Sequence, residues 1–132
     1  MGAMQRSKGA RAENQFASML SEDLGIPVKR TLGQARDGGC DIELGPWAIQ
    51  VKHAAKLCIK GWWQQTVADA HKAKKIPVLA YKINRQGWRI RMRMKEVIGI
   101  NAEWTFDHQY TEELDYQGFL LRIREIDWES QG

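Results

Sequence analysis

The sequence predicts an α/β domain: one central mixed β-sheet flanked by helices, in the order helix, three strands, helix, two strands, helix (α-β-β-β-α-β-β-α). Three observations carry this. Apolar residues recur at helical spacing near both ends and in the middle of the chain. Between those stretches lie short runs, continuously apolar or strictly alternating, bounded by glycine, proline and asparagine. At 132 residues, 43% of them hydrophobic and six of them tryptophan, the chain can bury one core and make one domain.

Met1 to Met4 (MGAM) looks like an expression remnant ahead of a native start at Met4, so residues 1–3 carry no weight in the fold. The first helix is expected from about Ser7 to Leu24, with Phe16, Ala17, Leu20 and Leu24 on one stripe. Glu13 falls on that same inward stripe, where an unpaired charge is costly. The alternative for Glu13 is an ion pair with Lys8 or Arg11 on a solvated face. Gly25 and Pro27 end the helix.

A short strand is expected around Val28 to Thr31, followed by the polar loop LGQARDGG. Asp41 to Leu44 and Trp47 to Lys52 form a hairpin closed by Gly45-Pro46. After Gly61 the stretch WWQQTVADAHKAKK is helical, with Trp63, Val67 and Ala70 on one face and Trp62 and Thr66 beside them. Packing explains the two tryptophans better than base stacking does. IPVLAYKI is a central strand, and WRIRMRM alternates Trp88, Ile90, Met92 and Met94 against Arg89, Arg91 and Arg93. Those arginines are most simply the solvent face of an edge strand, with a DNA-tracking stripe as the functional version. In the tail, Trp104 and Phe106 suggest a short strand, and Tyr116 to Trp128 a closing helix.

Charge is unevenly spread behind a net value of +4. Residues 51–95 hold twelve Lys or Arg against Asp69 alone, and residues 96–132 hold nine acidic residues against Arg122 and Arg124. A basic central block points to a polyanion, nucleic acid before others. No apolar run approaches the length of a membrane span, and no signal-peptide pattern opens the chain. Two cysteines, Cys40 and Cys58, make neither a disulfide framework nor a zinc cluster, which fits reduced thiols in a cytoplasmic protein. His53, His71 and His108 lack metal-ligand spacing and are taken as structural.

The chemistry concentrates in DGGCDIELGPWAIQVK. Gln50 and Lys52 lie on one face of their strand, Ile49 and Val51 on the other. Phosphodiester hydrolysis calls for oxygen ligands around a hard divalent cation, normally magnesium, and for a lysine to orient a water and offset charge on the phosphate. Asp41 offers a carboxylate, Gln50 an amide oxygen, Val51 a backbone carbonyl, Glu13 a second carboxylate and Lys52 the ammonium.

Asp41, a short hairpin and Gln50-Val51-Lys52 together resemble the motif of the PD-(D/E)xK nuclease superfamily. The series SKGARAENQF, KRTLGQARDGGCDI, AIQVK, WWQQTVADA, PVLAYK resembles its Holliday-junction-resolvase-like branch, and within it small phage and prophage endonucleases, over roughly residues 6 to 95. The resemblance implies a restriction-endonuclease-like domain; the acidic tail adds nothing to the likeness, and the expectation is a single domain over residues 1–132 with residues 96–132 an acidic extension packed on or beside it. It implies Asp41 and Gln50 as metal ligands, Lys52 as the catalytic lysine and Glu13 as the carboxylate closing the site. Gln65 then contacts the lysine or the substrate, and Arg30 and Arg36 contact phosphates. Mg²⁺ is the implied cofactor, with Mn²⁺ a substitute. Branched DNA is the implied substrate and a homodimer the implied assembly, in the bacterial host cytoplasm if the protein is phage-encoded.

Two positions depart from the pattern. Cys40 stands where a proline is usual, and Gln50 replaces the commoner glutamate, removing one negative charge from the metal site. Glu43 faces the same side as Asp41 and would compensate, although an exposed hairpin residue is the simpler reading. Two alternatives follow: a catalytically silent DNA-binding module on a nuclease scaffold, and a nuclease of the same superfamily that cuts flaps or plain duplex.

Overall fold

A computed structural model describes residues 2–31, 40–94 and 106–125. Its elements are α1 (Gly2–Leu24), β1 (Ile42–Leu44), β2 (Trp47–Ala54), α2 (Ile59–Ala73), β3 (Ile76–Ile83), β4 (Trp88–Arg93), β5 (Thr111–Asp115) and α3 (Tyr116–Glu125). The five strands form one sheet in the order β1-β2-β3-β4-β5. Only β2 and β3 run parallel, joined by α2 as the crossover; the other neighbours are antiparallel. The sheet is therefore mixed, and the α/β expectation holds.

Strand alternation sorts the sheet into two covered faces. One face carries Ile42, Ile49 and Val51, Val78 and Ala80, Ile90 and Met92, which pack against Phe16 and Leu20 of α1 and Phe119 and Ile123 of α3. Phe16 sits at its centre, 4.9 Å from the Trp88 ring and 6.3 Å from Phe119. The other face carries Leu79 and Tyr81 under Trp63 and Val67 of α2. Tyr116 Oη donates to Asp23 at 2.7 Å and Arg124 donates to the Asp23 carbonyl at 2.9 Å, which ties α3 to the end of α1.

Local chemistry explains the punctuation. Gly25 ends α1 at φ 70, a left-handed conformation that glycine adopts without a Cβ penalty. Ser21 Oγ then accepts from Val28 N at 2.7 Å and folds the chain back. Gly45 at φ 54 occupies the first central position of the two-residue β1–β2 turn, where Pro46 follows and a positive φ matches the twist of a hairpin.

Three expectations need correction. The segment Val28 to Thr31 makes a single bridge, Arg30 to Ile42, in place of a strand, and β1 itself offers it an edge of only three residues. β4 is not an edge strand: β5, unforeseen in the acidic TEELD, pairs along it from Arg89–Asp115 to Arg93–Thr111. Phe106 lies in a turn before a short 3-10 helix, His108–Tyr110, and its ring meets His71 at 5.5 Å. Trp104 and the end of the closing helix at Trp128 lie outside the described residues.

Candidate active site

The β1–β2 hairpin is uneven: β1 pairs only with residues 47–49 of β2, so among the described residues no strand pairs with the β1 side of β2 from Gln50 onward. Asp41 lies at the mouth of this notch. Its backbone N–H donates to the Ile49 carbonyl at 3.1 Å and its carbonyl accepts from Thr31 N at 2.7 Å. Its Oδ2 accepts from the backbone N–H of Val51 at 2.8 Å. The N–H and C=O of one strand residue point the same way, so the Val51 carbonyl is directed to the same side as Asp41.

Polar burial is concentrated here. Glu13, Asp41, Gln50, Thr66 and Asp69 are the buried polar residues among those described, and three of the five belong to the expected site. Glu13 is buried and pairs with Arg30 at 3.0 Å, so its place on the inward stripe is real and the solvated-face reading falls. Arg30 bridges Ile42, next to Asp41, and so links α1 to the mouth of the notch. Its guanidinium is thereby engaged with Glu13 while remaining about a quarter exposed, at 24%. Arg36 lies outside the described residues.

On the α2 face two contacts join β2 to the helix. Lys52 Nζ donates to Gln65 Oε1 at 3.1 Å, and Gln50 Nε2 donates to Asp69 Oδ2 at 2.5 Å. The spacing accounts for both. Two residues along a strand advance ~6.6 Å and four along a helix ~6 Å, so the pairs run in step as β2 and α2 pass in opposite directions. The outer rung is exposed and the inner one buried. Gln65 thus contacts the lysine, one of the two roles expected of it.

Asp69 was not singled out from the sequence, although two signals marked it. It is the lone acid in a block of twelve basic residues, and it stands four residues after Gln65, on the same side of the helix. Glu43 is exposed, as the simpler reading had it. Two of the three arginines of β4 have a carboxylate nearby: Glu113 of β5 lies 3.9 Å from Arg89, which stays exposed, and 3.8 Å from Arg91, and also accepts from Tyr81 Oη.

These groups suit a hard cation in kind. Two buried carboxylates, an amide whose nitrogen is committed elsewhere and a backbone carbonyl are all oxygen donors. Among the described residues no three His, Cys, Asp or Glu side chains gather as a metal cluster, so such a set would depend on Gln50 and Val51 as well as the acids.

No curated protein matches the chain. Among solved structures, Hjc from Archaeoglobus fulgidus, described as a Holliday junction resolvase from an archaeal hyperthermophile, is similar at 21% identity and a TM-score of 0.47, covering 86% of this chain and 88% of its own. The model of a family described as "Phage putative PDDEXK endonuclease" matches residues 4–127. Since that match spans nearly the whole sequence, from the first helix through the closing one, the chain belongs to this family of phage PDDEXK endonucleases.

Proposed function

We propose that the protein is a metal-dependent endonuclease that cuts branched DNA, with Glu13, Asp41, Gln50 and Lys52 as its working groups. The observation that carries this is the burial of Asp41 and Gln50 beside a strand edge that no described strand pairs with, with Lys52 two residues beyond Gln50 along the same face. Asp41, Glu13, the Gln50 oxygen and the Val51 carbonyl would hold Mg²⁺, with Mn²⁺ as a substitute. A bound divalent ion would lower the pKa of a water and offset charge on the phosphate. The protein's own part is positional. Gln65 holds the Lys52 ammonium in place, so that it meets the negative charge that builds on the phosphate without first reorganising. Arg30 and Arg36 steady the backbone on either side of the scissile bond. The basic block of residues 51–95 supplies salt-dependent attraction to the duplex arms. Hydrolysis leaves a 5′-phosphate.

A branched substrate is supported by the resolvase-like order of motifs. A four-way junction presents two symmetric scissile phosphates, which favours a homodimer with two-fold symmetry. None of the described helices is long and apolar enough to cross a membrane.

The test is cleavage of a labelled four-way junction, a flap and a linear duplex, with and without Mg²⁺. Preferential cutting of the junction in Mg²⁺ is the expected result. Equal cutting of linear duplex would assign a different substrate, and binding without cutting under every divalent ion would make the chain a DNA-binding module. Lys52→Ala should lower cutting by about 10²–10³-fold with binding nearly intact. Normal cutting by this variant removes Lys52 from the site.

A further inference from the structure

The Gln50–Asp69 contact has a chemical direction that the site depends on. An ionised carboxylate only accepts hydrogen bonds, so the group facing Asp69 must be a donor. Of the two ends of the Gln50 amide, the nitrogen alone meets that requirement, and it lies 2.5 Å from Asp69 Oδ2. Both residues are buried, at 3% and 8% exposure. An error in amide orientation would therefore set oxygen against oxygen where solvent screens little. Fixing the nitrogen fixes the oxygen, which must point to the other side of the amide.

We infer that Asp69 is a positioning residue. It locks the amide of residue 50 so that the oxygen serves as the ligand, and it makes glutamine rather than glutamate the matched side chain there. This rests on the reading of Gln50 as a metal ligand given above. The departure from the commoner glutamate then has a physical cause on the neighbouring helix. Glutamate at position 50 would face Asp69 with a second acceptor, and the charge gained at the site would be set against a lost donor. Positions 50 and 69 are one unit whose charge sits on the helix side.

The unit is tested by exchange. Wild type, Q50E, D69N and the double variant Q50E/D69N are compared in two readouts: thermal unfolding of the metal-free protein, and Mg²⁺ and Ca²⁺ affinity by calorimetry. Q50E should melt lower than wild type and bind the ions no more tightly, despite its extra negative charge. D69N can hold either end of the Gln50 amide, so it should keep most of its stability but lose about tenfold in ion affinity, the scale typical when the partner of a ligand is changed. The double variant restores one donor facing one acceptor, and both melting and ion affinity should recover, with a clearly non-additive cycle.

Q50E that binds ions more tightly than wild type at unchanged stability would overturn the inference. So would a double variant no better than the sum of its parts, or D69N with unaltered affinity. A wild-type protein that binds no divalent ion would instead overturn the proposed function itself, and the ligand role of Gln50 with it. Because melting is read without metal, a failure of the pair and a failure of the metal reading appear in different columns.

Discussion

Asp41 carries two duties that substitution can separate. Its Oδ2 accepts from the buried N–H of Val51 at 2.8 Å, a structural bond, while the proposed function gives its charge to the cation. Replacing it by alanine removes the acceptor and leaves a main-chain donor unsatisfied beside the strand, which costs about 1–3 kcal/mol. For a chain of 132 residues that corresponds to a fall in melting temperature of roughly 3–10 °C. The Asp41→Asn variant keeps an oxygen that can accept the same bond, so its loss of stability should stay within about 1 kcal/mol. Both variants should fail to cut DNA in Mg²⁺, since each lacks the carboxylate. Differential scanning calorimetry with a parallel cleavage assay measures the two duties independently. An alanine variant that melts with wild type would show that the carboxylate does not hold Val51, and an asparagine variant that cuts normally would remove the charge from the chemistry.

Other outcomes follow from the packing and from two shifted groups. Phe16→Ala empties the centre of the α1–α3 face and should cost about 3–5 kcal/mol in chemical denaturation, with an unchanged dependence on denaturant concentration. The phenol of Tyr81 is pushed up from 10.0 to about 12, first by burial and then by its bond to Glu113. The folded state thus holds that proton more tightly than the unfolded one. Its contribution to stability is intact below pH 10 and is lost as pH rises through about 12. Tyr81→Phe should blunt this alkaline loss and remove one late step from the ultraviolet titration of the tyrosines. The two thiols should react at very different rates. Cys58 is exposed, whereas Cys40 is buried, with its thiol pushed up to about 11 by burial and by the charge of Glu43. A thiol reagent at neutral pH should label Cys58 alone, and both cysteines only after unfolding.

Much of this arrangement was legible from local pattern. The stripe Phe16, Ala17, Leu20 gave α1 its buried face and put Glu13 on it; the alternation in AIQVK placed Gln50 and Lys52 together; the glycine-proline turn set the hairpin. What stayed hidden was set by partners distant in sequence. TEELD has weak intrinsic preference for a strand, yet it becomes β5 because β4 offers it an arginine-rich ladder: Glu113 stands directly opposite Arg91, and Thr111 accepts from Arg91 at 2.8 Å. That pairing also makes β4 an internal strand, while Arg89 on its outer face stays exposed. Val28 to Thr31 has strand composition, but among the described residues it meets the three-residue β1 in a lone bridge. Glu13 finds a cation seventeen residues away at Arg30, beyond any rule of helical neighbours, and Asp69 acquires its meaning only once α2 is laid on β2.

The matched pitch of β2 and α2 makes the connection between them intolerant of length changes. Deleting one residue near the start of α2 would turn the helix by ~100° relative to the strand, so both contacts would be lost in the same step. Residues 55–58 therefore act as a ruler, and diversity in this region should come from exchanging side chains rather than from adding or removing them.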